Sequence, residues 1–274
     1  MKVAGLREFR IPFPLIGLPM DGVYGTYMAI PLEAMCKLRM NFKVALRGNR
    51  VEVKFCGMKE PLRTAVERFL TLFLEAGALN ARLMGEISIE CSSSVPIVSQ
   101  YVGVTNAIVE SILHMNELRK YLASIAMIDS EVLDADPGYT LALRCALSTR
   151  TPCVTRGPNE MVVLRRGISI TISEIVEATH SRTLQSQGLL LSKVTNIDRR
   201  VLSLYLKMIS TAMPMIIDLV ETGKEESARY LKIVLYTELA LSGLSLDRWI
   251  EYPKVISDIG SFRIYGVKLV RGSW

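Results

Sequence analysis

The residues best suited to chemistry surround a strand–turn–helix passage. Arg82 to Glu90 alternates apolar and polar residues as a strand does, Ser92-Ser93-Ser94-Val95-Pro96 turns, and a helix is predicted from about Val104 to Ala123. A loop feeding a helix N-terminus presents unpaired N–H groups and the positive end of the helix dipole, which suits a phosphate. Between Pro96 and Asn106, however, the only glycine is Gly103, so few positions let backbone amides close on an anion. An ordinary strand–loop–helix turn accounts for the same pattern. A second group is arginine-rich: Arg144, Arg150 and Arg156, with Arg165 and Arg166. Guanidinium forks bind phosphate, although arginines flanking a loop also serve as plain solvated charge. His180 beside Ser181 has the types for nucleophilic catalysis, but no G-x-S-x-G elbow exists and no acid is assignable as orienter.

These groups need a scaffold. The 274 residues, 50% hydrophobic and 22% charged, suffice for one large domain or two medium ones, and exclude a disordered chain. Val3 to Phe13 reads as a strand, followed by an irregular connection marked by Pro12, Pro14, Gly17, Pro19 and Gly22. Glu33–Leu46 and Arg50–Cys56 flank Arg47-Gly48-Asn49 as a predicted β-hairpin. Pro61 to Ala78 is a predicted helix with Leu62, Val66, Phe69, Leu70 and Phe73 inward. Asp134 to Gly138 is a turn, which gives Asp134 and Asp136 structural roles, and a short helix follows over Thr140–Leu147. Strands are predicted at Met161–Leu164, Ile168–Ile172 and Ile264–Val270. Helices are predicted at Val201–Glu221, with a kink at Pro214, then at Lys224–Ser242 and Leu246–Ile250. Strands and helices do not alternate regularly, so the fold class is α+β.

Net charge and cysteine content narrow the class. The 33 basic residues give a net charge of +6 but are spread along the chain, which argues against nucleic acid as a partner and is compatible with a phosphate-bearing small molecule. The charge-free stretch Cys91–Val109 is too polar for a transmembrane helix, and no membrane partner is expected. Arg7, Glu8 and Arg10 interrupt the place where a signal peptide needs its apolar run, so a cytoplasmic location is expected. Cys36, Cys56, Cys91, Cys145 and Cys153 contain no C-x-x-C and are expected to be reduced thiols. With only His114 and His180, no zinc site is expected.

Three segments, in order, resemble the GHMP kinase superfamily, which includes galactokinase, homoserine kinase and the mevalonate-pathway kinases. Ser93-Ser94-Val95-Pro96-Ile97-Val98-Ser99-Gln100-Tyr101-Val102-Gly103-Val104-Thr105 is similar to the family's Ser-Ser-hydrophobic-Pro segment, which leads there into a glycine-rich phosphate loop and a helix. Pro19-Met20-Asp21-Gly22-Val23-Tyr24-Gly25 resembles its first motif, and Tyr265-Gly266-Val267-Lys268-Leu269 the start of its third. His180-Ser181-x-Thr183 is similar to a segment of the second domain in some members. The resemblance implies an S5-domain-like N-terminal half over residues 1–150 and a ferredoxin-like helical half over 151–274, with a cleft between them. It also implies ATP and Mg2+ as cofactors and a small hydroxylated acid of the mevalonate type as substrate. The nucleotide residues so implied are Ser94, Ser99, Gly103, Thr105 and Lys268, with Thr105 the candidate for Mg2+. Arg150, Arg156, His180 and Ser181 are the candidates for substrate or phosphate, and a homodimer is compatible with all of this.

The departures from the motifs set up two functions. Pro19 and Met20 replace the first motif's Glu-His pair, Val98, Gln100 and Val102 occupy the phosphate-loop glycine positions, and Thr149–Arg156 lacks the aspartate that mevalonate-type members carry. After Leu269 come Val270-Arg271-Gly272-Ser273-Trp274 instead of the glycine-rich third loop. One expectation is therefore a divergent kinase. The other is a GHMP-fold protein that has lost phosphoryl transfer and binds a metabolite or a partner.

Overall fold

A computed structural model describes residues 2–20, 25–46, 48, 50–76, 81–91, 95–113, 120–165, 169–176, 179–180, 193–194, 197–246, 248–259 and 261–270. The first sheet is organised by β2 (Thr26–Leu46), whose length lets it pair with different partners along its two sides. β1 (Lys2–Ile16) runs antiparallel along one side, with Lys2 opposite Lys43 and Pro14 opposite Ala29. On the other side β2 meets β4 (Ala81–Cys91) through residues 36–46 and β5 (Cys153–Arg156) through residues 26–29. β3 (Arg50–Cys56) lies outside β4 and parallel to it, and β6 (Glu160–Val163) lies outside β5.

This order corrects two sequence expectations. β2 and β3 do not form a hairpin, because β4 lies between them; α1 (Leu62–Glu75) is the crossover that a parallel β3–β4 pair requires. Pro12 and Pro14 do not start an irregular connection either. They sit inside β1, an edge strand that pairs with β2 alone, the setting in which a sheet tolerates proline. The sheet also takes in β5 and β6, so its backbone continues past residue 150 to Val163.

Three helices pack on this sheet and a fourth packs on two of them. α1 buries Leu62, Val66, Phe69, Leu70 and Phe73, the stripe its periodicity predicts. α2 (Ile97–Ile112) starts well before the expected Val104, and α3 (Leu122–Leu133) occupies residues for which no helix beyond Ala123 is predicted. α4 (Pro137–Thr149) begins with Pro137 in its first turn and Asp136 as N-cap, accepting from Gly138 N–H at 2.7 Å. Asp136 also accepts from Gly25 N–H at 3.0 Å and from the Tyr27 hydroxyl at 2.8 Å, which gives it the structural role its turn setting predicts.

Inside this layer Arg144 is fully buried. Its guanidinium donates twice to Asp129, at 2.7 and 2.8 Å, and once to the Thr105 hydroxyl at 2.7 Å, while its plane lies 5.0 Å from the Phe69 ring. The Tyr101 hydroxyl donates to the same aspartate at 2.8 Å. α2, α3 and α4 are thereby pinned by one satisfied ion pair, the condition under which a buried charge is tolerated.

The second half carries a three-stranded antiparallel sheet in the order β10 (Pro253–Asp258), β11 (Ser261–Val270), β7 (Ser169–Val176). With it go α5 (Arg199–Thr222) and α6 (Ala228–Ser242). α5 runs unbroken through Pro214. It is long and apolar enough to cross a membrane by length and composition, and here it buries Tyr205, Ile209, Ala212, Met213, Ile216, Leu219 and Val220. The short β8 (Thr179–His180) pairs with β9 (Leu244–Ser245), and no helix forms over Leu246–Ile250 among the described residues.

The cysteines are not all thiols. Cys36 on β2 is disulfide-bonded to Cys91 on the neighbouring β4, and Cys145 on α4 to Cys153 on β5, which leaves Cys56 free. Sheet register brings the first pair together and the α4–β5 turn the second, neither of which spacing in the chain reveals. Alkylation of the unfolded, unreduced protein followed by intact mass measurement should therefore add one label, at Cys56, and five after reduction. Five labels without reduction would restore the reduced state.

Candidate functional site

The N-terminus of α2 is already occupied by a side chain. Ile97 N–H donates to Asp258 Oδ2 at 3.0 Å and Val98 N–H to Oδ1 at 2.8 Å, so a carboxylate from β10 spans the first turn. Ile259 N–H adds a third bond at 3.1 Å, and the Arg263 guanidinium lies 3.6 Å away. Asp258 is fully buried. Burial pushes its carboxyl above the usual range, while the amides and Arg263 pull the other way. A helix dipole and two free amides are what a phosphate would use, and an internal anion uses them here.

On the same strand lies a buried ion pair of the second half that reaches the first half through Gly17. Lys254 on β10 donates to Glu238 on α6, and both side chains are fully buried. Glu238 also accepts from Gly17 N–H at 2.7 Å and from the Tyr205 hydroxyl at 3.2 Å, while Lys254 reaches the Gly17 carbonyl at 3.3 Å. Gly17 has φ +99°, and a Cβ there would lie 2.3 Å from the Tyr27 ring, so only glycine fits. Burial holds the Lys254 amine below its ordinary value and Glu238 opposes that shift. Tyr139 and Tyr265 are buried close by, and their hydroxyls find no partner among the described residues.

A separate cavity of about 430 Å³ opens between β1, α2 and α4. Phe9, Gly103, Ala107 and Leu147 form its buried floor, and Arg7, Glu8, Arg10 and Arg150 stand exposed around it with the half-buried Glu110. Asn106 is the buried polar residue of its wall.

The sequence-derived candidates scatter across this map. Ser94, Ser181 and His114 lie outside the described residues. His180 is paired through its backbone with Leu244. Ser99 is buried in α2 with its hydroxyl unpartnered among the described residues. The buried Thr105 hydroxyl donates to the Tyr101 carbonyl at 2.7 Å and accepts from Arg144, so it faces the helix interior. Lys268 is exposed on β11 opposite Thr171, and Arg156 is exposed at the end of β5 opposite Thr26. Gly103 and Arg150 do meet, but in the cavity. Asp258, Lys254 and Glu238 escape sequence reasoning because each is an isolated charge in an apolar stretch, as surface residues also are. Arg7 and Arg10 carry no signal beyond alternation in a strand.

No family model matches the chain, and no curated protein matches it by sequence. Solved structures do share its fold. The Methanococcus jannaschii mevalonate kinase superposes with a TM-score of 0.56 over 98% of this chain and 91% of that one, at 10% identity. The L. major mevalonate kinase in complex with R-mevalonate gives 0.54 over 99% and 89%, also at 10% identity. A mevalonate diphosphate decarboxylase from Staphylococcus aureus gives 0.55 over 98% and 88%, again at 10% identity. The chain thus has the α+β fold of the GHMP kinases that its motifs resemble.

Two outcomes follow from the buried charges. Lys254→Met leaves Glu238 buried without its cation and should lower stability by about 3–5 kcal/mol in urea denaturation, and adding Glu238→Leu should recover most of that loss. An additive loss in the double variant would deny the coupling. Tyr27, Tyr101, Tyr139, Tyr205 and Tyr265 all have phenols raised, with burial the first cause. Stability from these groups is complete below the ordinary phenol value near 10 and is lost as pH rises from there through their folded values. Lys254, held below its ordinary value, changes stability only below about pH 10.5 and does not offset the loss above it. The urea midpoint should therefore fall above about pH 10, with tyrosinate absorbance rising as the protein unfolds. A midpoint constant to about pH 11.5 would contradict this.

Proposed function

We propose that this chain is a GHMP-fold protein that binds a small metabolite or a partner and does not transfer phosphate. One observation carries the reading: the Asp258 carboxylate sits on the α2 amides that a nucleotide phosphate would need. Phosphoryl transfer requires a cradle for the triphosphate, a metal to neutralise it and an aligned hydroxyl. A second anion at this helix end would face a buried aspartate across the same amides. Thr105, the candidate for Mg2+, spends its hydroxyl on Tyr101 and Arg144. ATP with Mg2+ does not fit these described residues, and no catalytic step is drawn through them.

The fold itself favours a second reading. One neighbour of 10% identity is a mevalonate kinase in complex with R-mevalonate, so an ATP-dependent kinase acting on a hydroxylated acid is the alternative if the α2 terminus opens. We place the division between the two halves after β6, where the first sheet ends.

Calorimetric titration with Mg-ATP and a non-hydrolysable analogue separates the two. No binding is expected at about 1 mM nucleotide. Micromolar binding that persists in Arg150→Gln, where the cavity arginine is removed, would overturn the proposal. Asp258→Ala should cost about 1–2 kcal/mol by baring the α2 amides, and its melting temperature should respond more strongly to added sulfate than the wild type's.

A further inference from the structure

We infer that the outer face of α5 and α6 is a docking surface for a second copy of this chain, with the two α5 helices antiparallel across a two-fold axis. This goes beyond the proposed function and does not rest on it.

The first argument is an apolar face left uncovered. α5 is 24 residues long, and only 28% of its most apolar 18-residue stretch is buried. Leu204 is 67% exposed, and Val201 and Met215 are exposed on the same side of the helix. α6 widens that side. The Thr237 hydroxyl donates to the Met208 sulfur at 3.5 Å and the Tyr205 hydroxyl to Glu238, so the helices run antiparallel with Ile233 level with Ala212. Ile233 and Ala240 are exposed there too. Large apolar side chains grouped across two adjacent helices mark an interaction surface, whereas single ones scattered over a surface mark nothing.

The second argument is the order of side chains along α5. Arg200, Leu204, Lys207, Thr211, Met215 and Asp218 recur at three- and four-residue steps and so share one face. Two copies laid antiparallel about a point level with Ile209 set Arg200 of each opposite Asp218 of the other. The same register sets Leu204 opposite Met215 and Lys207 opposite Thr211. Each contact then occurs twice, as an isologous two-fold interface requires. A parallel pairing would instead set Arg200 against Arg200 and Asp218 against Asp218.

The charges on this face are available for such a contact. Arg200 and Lys207 make no ion pair among the described residues. Asp218 meets Lys224 at 3.1 Å, and a carboxylate has lone pairs enough for a second cation. Pro214 supplies no N–H to the Ser210 carbonyl one turn back, which leaves an acceptor beside the partner's Lys207. An anionic lipid surface fits less well, because the basic first half of α5 is followed by Asp218, Glu221, Glu225 and Glu226. A second copy turns that same asymmetry into attraction.

Size sets the strength expected. The stripe from Arg200 to Asp218 is about 27 Å long and, with Ile233 beside it, covers roughly 500 Å² per copy. That is small for a permanent dimer, so a dissociation constant on the order of 10 µM is expected.

The test is sedimentation equilibrium of the full chain from about 1 to about 300 µM. The wild type should pass from monomer to dimer across that range. Leu204→Glu, Arg200→Asp and Asp218→Arg should each weaken dimerisation by about tenfold or more. An equal mixture of Arg200→Asp with Asp218→Arg should dimerise as the wild type does, because every charged contact then joins an aspartate to an arginine. If Asp218→Arg does not fold, Leu204→Glu and Arg200→Asp, both at exposed positions, decide alone. A chain still monomeric at about 300 µM overturns the inference. Variants that dimerise like the wild type overturn it by placing the dimer on another face, and so does a mixture that fails to recover. Monomer that pellets with phosphatidylserine vesicles, and is released by Leu204→Glu, would give the face to lipid and overturn it as well.

Discussion

The buried carboxylate of Glu238 is the constraint that organises the molecule. A charge with no access to water must be neutralised and its lone pairs satisfied, and here Lys254, Gly17 N–H and the Tyr205 hydroxyl do this together. Those partners come from β10, from the end of β1 and from α5, so one side chain fixes three elements from both halves of the chain. With Lys254 held, β10 has no freedom in how its later residues meet the first half. Asp258, at the other end of the same strand, reaches the first turn of α2 as a consequence.

That placement determines what the junction can do. A helix end is an anion site wherever its amides are free. Supplying the anion from within converts a binding surface into a packing contact, while the overall arrangement of sheet and helices persists. The fold's apolar core tolerates wholesale change of side chains if volume and pattern are kept, which is how 10% identity is compatible with superposition over nearly the whole chain. The chemistry of a phosphate loop has no such tolerance, because it depends on backbone amides approaching an anion without intervening β-carbons. A shared fold therefore does not by itself carry a shared reaction.

Much of the architecture was legible in the sequence. Helix α1 and strands β1, β4 and β11 follow from local period, and a structural role for Asp136 follows from its turn setting. Pairing was not. Gly48 between two β-like runs reads as a hairpin, and nothing local says that β4 inserts between them. The start of α2 was missed for a similar reason: Ile97, Val98, Tyr101 and Val102 are β-prone residues that tertiary packing holds in a helix, all but Ile97 fully buried.

The sequence by itself determined the class of fold, the apolar faces that build it and the absence of a glycine-rich loop between Pro96 and Val104, since each rests on residue type and short-range spacing. Only the tertiary structure decided that Asp258 would close the α2 terminus and that Cys36 would meet Cys91. It alone brought Arg7, Arg10 and Arg150 around one buried asparagine. These are contacts between residues far apart in the chain, and their geometry comes from sheet register and a buried ion pair. No local pattern encodes either.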